Sequence, residues 1–218
     1  MAISIEDIKK LRAMTGAGLA DVKKALTEAD GDFDKAKDLL RERGLAIAAK
    51  RSDRETSNGC VLVKSVDGFA AMVAVKCETD FVAAGKDFVE LVQSILDSAI
   101  AAKAKTIEEV KTLKLANGDE AETAVQHRSG ISGEKMEIDG YNFLEGDNIA
   151  VYDHMGKHTL STMVQLNANN DEAGHKVAMQ VAAMNPKYVS RDDVDAEYIA
   201  HETEVLTQQA LNEGKPAN

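Results

Sequence analysis

The segment 59–77 narrows the choice of fold more than any other part of this chain. Two apolar runs, CVLVKSV and FAAMVAVKC, flank Asp67-Gly68. A two-residue Asp-Gly between apolar runs is a strong hairpin signal. With that turn, Val66 pairs with Phe69 and Cys60 pairs with Val75. Cys60, Leu62 and Val66 then share one face with Phe69, Ala71, Val73, Val75 and Cys77. The two cysteines become diagonal neighbours on a buried face. Two cysteines are too few for a disulfide framework, so buried thiols are expected. A helix follows at 86–104, where Phe88, Val89, Leu91, Val92, Ile95, Leu96, Ala99 and Ile100 recur at helical spacing. An antiparallel hairpin running into an amphipathic helix is an α+β unit.

Upstream, residues 4–44 predict three short helices. Ser4 caps the first, with Asp7 in the capping-box position and Ile5, Ile8 and Leu11 as its stripe. Gly16 ends it and Gly18 opens the second, whose stripe is Leu19, Val22, Leu26 and Ala29. Asp32 caps the third; Phe33, Ala36, Leu39 and Leu40 line it, and Gly44 closes it. Residues 45–58 have the composition of a linker. Downstream, Thr106 and Glu109 predict a capping box on a short helix, and 119–128 a further helix. Residues 134–166 return to strand chemistry, with turns expected at Asp139-Gly140, Gly146-Asp147 and Gly156-Lys157. A helix is predicted over 171–184, stopping at Asn185-Pro186. Ser190 and Asp193 cap a last helix over 191–213, lined by Val194, Tyr198, Val205 and Leu206 and ended by Gly214 and Pro216.

Sliding the sequence by 89 residues places Val75 on Val164, Cys77 on Leu166, Gly85 on Gly174, Phe88 on Val177 and Val92 on Val181. This points to two α+β halves on one plan. Asp80-Phe81 falls on Asn169-Asn170, so the shared plan does not require an aromatic at that turn. Two roles stay open for Phe81: a core or helix-staple residue, or a ring held outward for a partner. Asp80 is compatible with a helix N-cap and with a contact residue.

Several functions are disfavoured. The net charge is −11, poorly matched to a polyanion, so no direct nucleic-acid binding is expected. No apolar run approaches the ~18 residues of a membrane span, and the N-terminus has no signal-peptide layout; a cytoplasmic protein with no membrane association is expected. TGAG at 15–18 lacks the Lys-Ser/Thr ending of a phosphate loop. His154, His158 and His175 lack the spacing and thiolates of a metal site. No nucleophile, base and oxyanion donors converge, so an enzyme is not expected, nor a cofactor. The cations Lys50, Arg51 and Arg54 read as a solvated linker or a surface for an acidic partner.

Three stretches carry a family resemblance: LRAMTGAGLADVKKAL (11–26) with GD at 31–32, CETDFVA (77–83), and LEGDNIAVYDHMGK (144–157). In family order along the chain, they resemble bacterial elongation factor Ts, the guanine-nucleotide exchange factors for elongation factor Tu. The resemblance implies an α+β protein in four parts. Residues 1–52 would be a three-helix ubiquitin-associated-like (UBA-like) module. Residues 53–140 and 141–187 would be the two α+β halves of the core, each with an antiparallel hairpin, and 188–218 the first arm of a helical hairpin. Longer members continue into a returning arm, so the helix over 191–213 would be incomplete here or would pair elsewhere, as in a dimer of this chain.

By the same resemblance, Thr79, Asp80, Phe81 and Val82 would dislodge the Mg²⁺ of elongation factor Tu by wedging its GTPase domain. Arg12, Leu19, Lys23, Gly133 and His154 would be further contacts to that domain and to a second one. The alternative is a non-catalytic scaffold whose UBA-like module binds ubiquitin-like folds or peptides.

Overall fold

The structure, a computed structural model, describes residues 3–214. Pro216, expected beyond the last helix, lies outside the described residues. Helices α1 (Ile5–Thr15), α2 (Leu19–Glu28) and α3 (Phe33–Ala49) form the N-terminal bundle. Their shared core is Ile8, Leu11, Val22, Ala25, Leu26, Ala36 and Leu40. Ser4 and Asp7 make the reciprocal capping box, Gly18 precedes α2, and Asp32 caps α3. Two residues of the expected stripes face solvent instead. Ile5 is 73% exposed and Leu19 is 54% exposed. Each is the first residue of its helix, where the apolar face has not yet come round to the bundle.

Gly44 does not close α3, which runs on to Ala49. Gly44 is buried inside the helix and lies against Gly130. A methyl group on Gly130 would run into the Gly44 backbone, so the pair marks a backbone-to-backbone helix crossing. The partner helix, α7 below, also runs past its expected end at 128 to carry Gly130. The expected linker is correspondingly shorter, because residues 45–49 are helical.

Strands β1 (Asn58–Val66) and β2 (Phe69–Cys77) pair in the expected register, with Val66 opposite Phe69 and Cys60 opposite Val75. Val66, at the strand end, is partly exposed rather than buried. After a single turn, α4 (Asp80–Ala83), comes α5 (Lys86–Ala102), which lays Phe88, Val92, Ile95, Leu96 and Ala99 on the sheet. Then follow α6 (Ile107–Thr112), α7 (Ala121–Ser132) and β3 (Met136–Glu145). Thr106 caps α6, but the Glu109 carboxylate accepts from the N–H of Lys105, not from that of Thr106, so the box is offset by one residue.

Asp139-Gly140 is not a turn. Strand β3 passes straight through it, and the sheet order is β1-β2-β3. Ala74 faces Gly140 and Val75 faces Ile138, so Asp139 is the extra residue of a bulge. The reason is length: Met136 and Ile138 on one side and Tyr141 and Phe143 on the other all belong to the apolar cluster under the nine residues of β2. The expected division between 140 and 141 therefore falls within a strand.

Strands β4 (Ile149–Asp153) and β5 (Ser161–Gln165) form a second, two-stranded antiparallel sheet, followed by α8 (Asp171–Met184). It packs against the first sheet and is hydrogen-bonded to β1 where Val61 N–H donates to His158 O at 2.7 Å and Ser161 Oγ donates to Val61 O at 3.2 Å. Both halves thus run from hairpin to helix, as the 89-residue offset suggests. Their helices are not equivalent residue by residue. Gly85 precedes α5, whereas Gly174 lies inside α8 against Ala150; Phe88 is fully buried, whereas Val177 is exposed.

The described residues from Ala183 onward form a separate compact unit. Within it, Ser190 and Asp193 do make a capping box, but on a single 3₁₀ turn, Arg191–Asp193. Helix α9 begins later, at Ala196–Asn212, capped by Asp195. Val194 therefore precedes the helix, while Tyr198, Val205 and Leu206 lie on it and are exposed. The Tyr198 ring packs beside Tyr188, with Lys187 Nζ over it.

Two outcomes follow from this packing. Gly130→Ala forces a methyl into the α3–α7 crossing and destabilises the fold by about 1–3 kcal/mol, the usual cost of overpacking, measurable by urea denaturation. Burial pushes the Cys60 thiol up to about 12 and the Cys77 thiol up to about 11, from an ordinary 9.0. Both remain protonated at pH 8, so a thiol reagent labels neither until denaturant is added. The associated stability is complete below pH 9 and declines as pH rises from there towards 11–12, because the unfolded chain loses those protons first.

Candidate functional site

The link between β2 and α5 is where the expected contact residues stand. Cys77 and Val75 anchor its start in the core and Phe88 anchors its end. Between them, Thr79 is the N-cap of α4, with its Oγ accepting from Val82 N–H at 3.4 Å. A four-residue helix cannot sustain itself, because nucleation costs more than so few bonds return. Its order comes from two carboxylates. Glu134 accepts from Thr79 N–H at 3.0 Å and from Thr79 Oγ at 2.6 Å. Glu78 accepts from Lys135 N–H at 2.6 Å and from Arg54 Nη1 at 3.1 Å.

These contacts set where each side chain of the turn points. Val82 and Ala83 pack against the main core. Successive helical residues turn by ~100°, so Phe81 is carried away from that core and is 87% exposed. The ring is neither core nor staple. Asp80 is exposed at the first helical position and is not the cap; Thr79 fills that role.

Gly133 is brought directly beside this turn. It ends α7 at φ +86°, a conformation that suits glycine, and so delivers Glu134 and Lys135 to Thr79 and Glu78. Its carbonyl accepts from Arg54 Nη1 at 3.4 Å, while Arg51 Nη1 donates to Ser129 O at 3.2 Å. Arg51 and Arg54 are thus engaged with their own chain, rather than standing as a solvated cation cluster. The Lys135 N–H holds the Glu78 carboxyl below the usual carboxylate range, with the Arg54 guanidinium adding to it.

The remaining expected residues stand apart from the turn. Arg12 is exposed on α1, and Leu19 and Lys23 lie four residues apart on one exposed face of α2. His154 is exposed at the β4–β5 tip, its Nδ1 2.9 Å from Tyr152 Oη. Nearby, Asp153 shapes the tip by binding His158 twice, accepting from its N–H at 3.1 Å and pairing with Nδ1 at 2.5 Å. His158 and Asp80 both line an open cleft of about 780 Å³ between β1, the 80–84 turn and the β4–β5 tip. Among the described residues, no three His, Cys, Asp or Glu side chains are grouped to hold a metal, and no helix is long and apolar enough to cross a membrane.

Sequence reasoning did not single out Glu78, Glu134 or the inward role of Arg54. Glu134 lies 55 positions from Thr79, and no local pattern reports a pairing of that range. The only available cue was an acidic residue directly after a glycine that ends a helix.

Comparison with known proteins places this sequence in a family. A family model described as "Elongation factor TS" matches residues 78–218. Elongation factor Ts of Bacteroides fragilis is 56% identical over 96% of this chain and 63% of its own length. That of Bacteroides thetaiotaomicron is 51% identical over 98% and 64%, and that of Porphyromonas gingivalis is 46% identical over 100% and 80%. The chain therefore spans just under two thirds of the Bacteroides relatives it matches. Identity of this extent over nearly the whole chain, with the family model matching residues 78–218, makes the chain a member of the elongation factor Ts family.

Proposed function

We propose that this chain is a guanine-nucleotide exchange factor that binds elongation factor Tu in its GDP form and promotes GDP release in the cytoplasm. One observation carries the mechanism: Phe81, a large apolar ring, is 87% exposed on a turn tied down at both ends. Exposing such a ring forfeits about 1.5–3 kcal/mol of burial, which a partner recovers on docking. In this mechanism Asp80 and Phe81 enter the GTPase domain and displace the elements supporting Mg²⁺ and the phosphate loop, while Thr79 and Val82 hold the turn. Gly133 lies at the edge of the same contact. Arg12, Leu19 and Lys23 form a second contact through the N-terminal helices. His154 forms a third, to another domain of the partner.

No covalent chemistry is involved and no cofactor is needed. A factor that binds the nucleotide-free partner more tightly must, by linkage, weaken the hold on nucleotide by the same factor. Magnesium supplies much of the grip on a diphosphate in such sites, so loosening its supports is an efficient route. The net charge of −11 steers the chain towards a basic protein surface rather than a nucleic acid.

The test is release of a fluorescent GDP from elongation factor Tu on mixing with the 218-residue chain. Acceleration supports exchange; stable binding with no acceleration points instead to a scaffold. Phe81→Ala lowers the stimulated rate by about ten- to a hundredfold, the equivalent of losing one buried phenylalanine. Its own stability stays within ~0.5 kcal/mol of wild type, since the ring supports little of its own fold. Equal release rates for the two proteins would remove Phe81 from the mechanism.

A further inference from the structure

We infer that Glu134 is a positioning residue for exchange, setting the pose of Asp80 and Phe81 without touching the partner; this rests on the exchange role proposed above. Its carboxylate takes both donors of Thr79, the main-chain N–H at 3.0 Å and the hydroxyl at 2.6 Å. The second bond decides the geometry. A threonine hydroxyl has one hydrogen and two lone pairs. With the hydrogen committed to Glu134, a lone pair is left facing Val82 N–H, which donates to it at 3.4 Å. That cap starts α4, and α4 turns Val82 inward and Phe81 outward. Bonds to an ionised acceptor are also the stronger kind.

Glu134 is itself held on both sides. Its N–H donates to Ser132 Oγ at 3.2 Å, and its carbonyl accepts from Ser129 Oγ at 2.5 Å. Ser129 is almost fully buried on α7, and its own carbonyl accepts from Arg51 at 3.2 Å. A chain of bonds therefore runs from the segment after α3, through the end of α7, to the cap of the turn. The two ends lie far apart in sequence, and neither Ser129 nor Glu134 belongs to the exposed contact set. The arrangement serves to pre-organise a short segment that has too few internal bonds to order itself.

The experiment compares wild type, Phe81→Ala, Glu134→Ala and Glu134→Gln in fluorescent GDP release from elongation factor Tu, over a range of factor concentrations. Amide hydrogen exchange is followed in the free proteins. Glu134→Ala lowers the maximal rate by about tenfold, as misplacement of a working group does. Its half-saturating concentration changes less than twofold, and exchange speeds up only at the amides of 79–84. Glu134→Gln leaves one acceptor oxygen where the carboxylate presents two, so it regains part of the lost rate and stays below wild type. Should Glu134→Ala fold poorly, Thr79→Val carries the test: it keeps shape and N–H, loses the hydroxyl, and lowers the maximal rate. The inference is overturned if the alanine variant reaches the wild-type maximum, if high concentration alone restores its rate, or if the glutamine variant is no faster. A wild-type maximum for Thr79→Val overturns it as well. Slow Phe81→Ala beside fast Glu134→Ala defeats only the positioning role, whereas fast Phe81→Ala defeats the exchange role of the turn and Glu134 with it.

Discussion

The apolar face of the β1–β2–β3 sheet, closed by α5 and α7, is the constraint on which the rest depends. Phe69, Val73, Val75 and Cys77 from the sheet and Phe88, Val92, Ile95 and Leu96 from α5 are all excluded from water. Burying such side chains is the dominant favourable contribution to folding. Cys77 and Phe88 are both fixed in that layer, so the chain between them must leave the core and return within ten residues. The exposed turn at 79–84 is the form this short excursion takes. The same core sets α7 against β3, which places Gly133 and Glu134 within reach of the turn.

What could be read from the amino acids depended on the range of the interaction. The hairpin register followed from Asp67-Gly68 and alternating burial. The Ser4–Asp7 box, the Asp32 cap and the apolar stripes of α1 to α3 are likewise short-range. Errors arose where a long-range contact overrode a local signal. Gly44 has the look of a helix end, yet Gly130, 86 positions away, makes it a crossing point. Asp139-Gly140 has turn composition, yet the length of β2 keeps it in a strand. Ser190-Asp193 is a sound cap whose helix is only one 3₁₀ turn long.

The candidate site divides along the same line. Comparison of the two halves put Phe81 on equal footing as a surface or a core residue, because Asn169-Asn170 takes its place in the second copy. The structure exposes it. The residues that hold the turn, Glu78 and Glu134, were not recognisable, because their partners come from separate segments. Residues that meet a partner leave a trace as unusual surface chemistry. Residues that only orient others look like any exposed carboxylate until the fold is known.

The crossing of α3 and α7 at Gly44 and Gly130 bears on how the chain would engage a large target. The described residues up to Ala182 form one compact unit, and this contact between main chains ties the N-terminal helices to the core. Two surfaces carried on one compact unit would meet a target like two prongs of a plug: once the first has seated, the second is already near its socket. The local concentration of the second surface is then set by geometry, without the ordering cost of a flexible tether. Contacts held at a fixed spacing reinforce one another in this way, and the Gly44–Gly130 crossing is one of the joints that would fix that spacing.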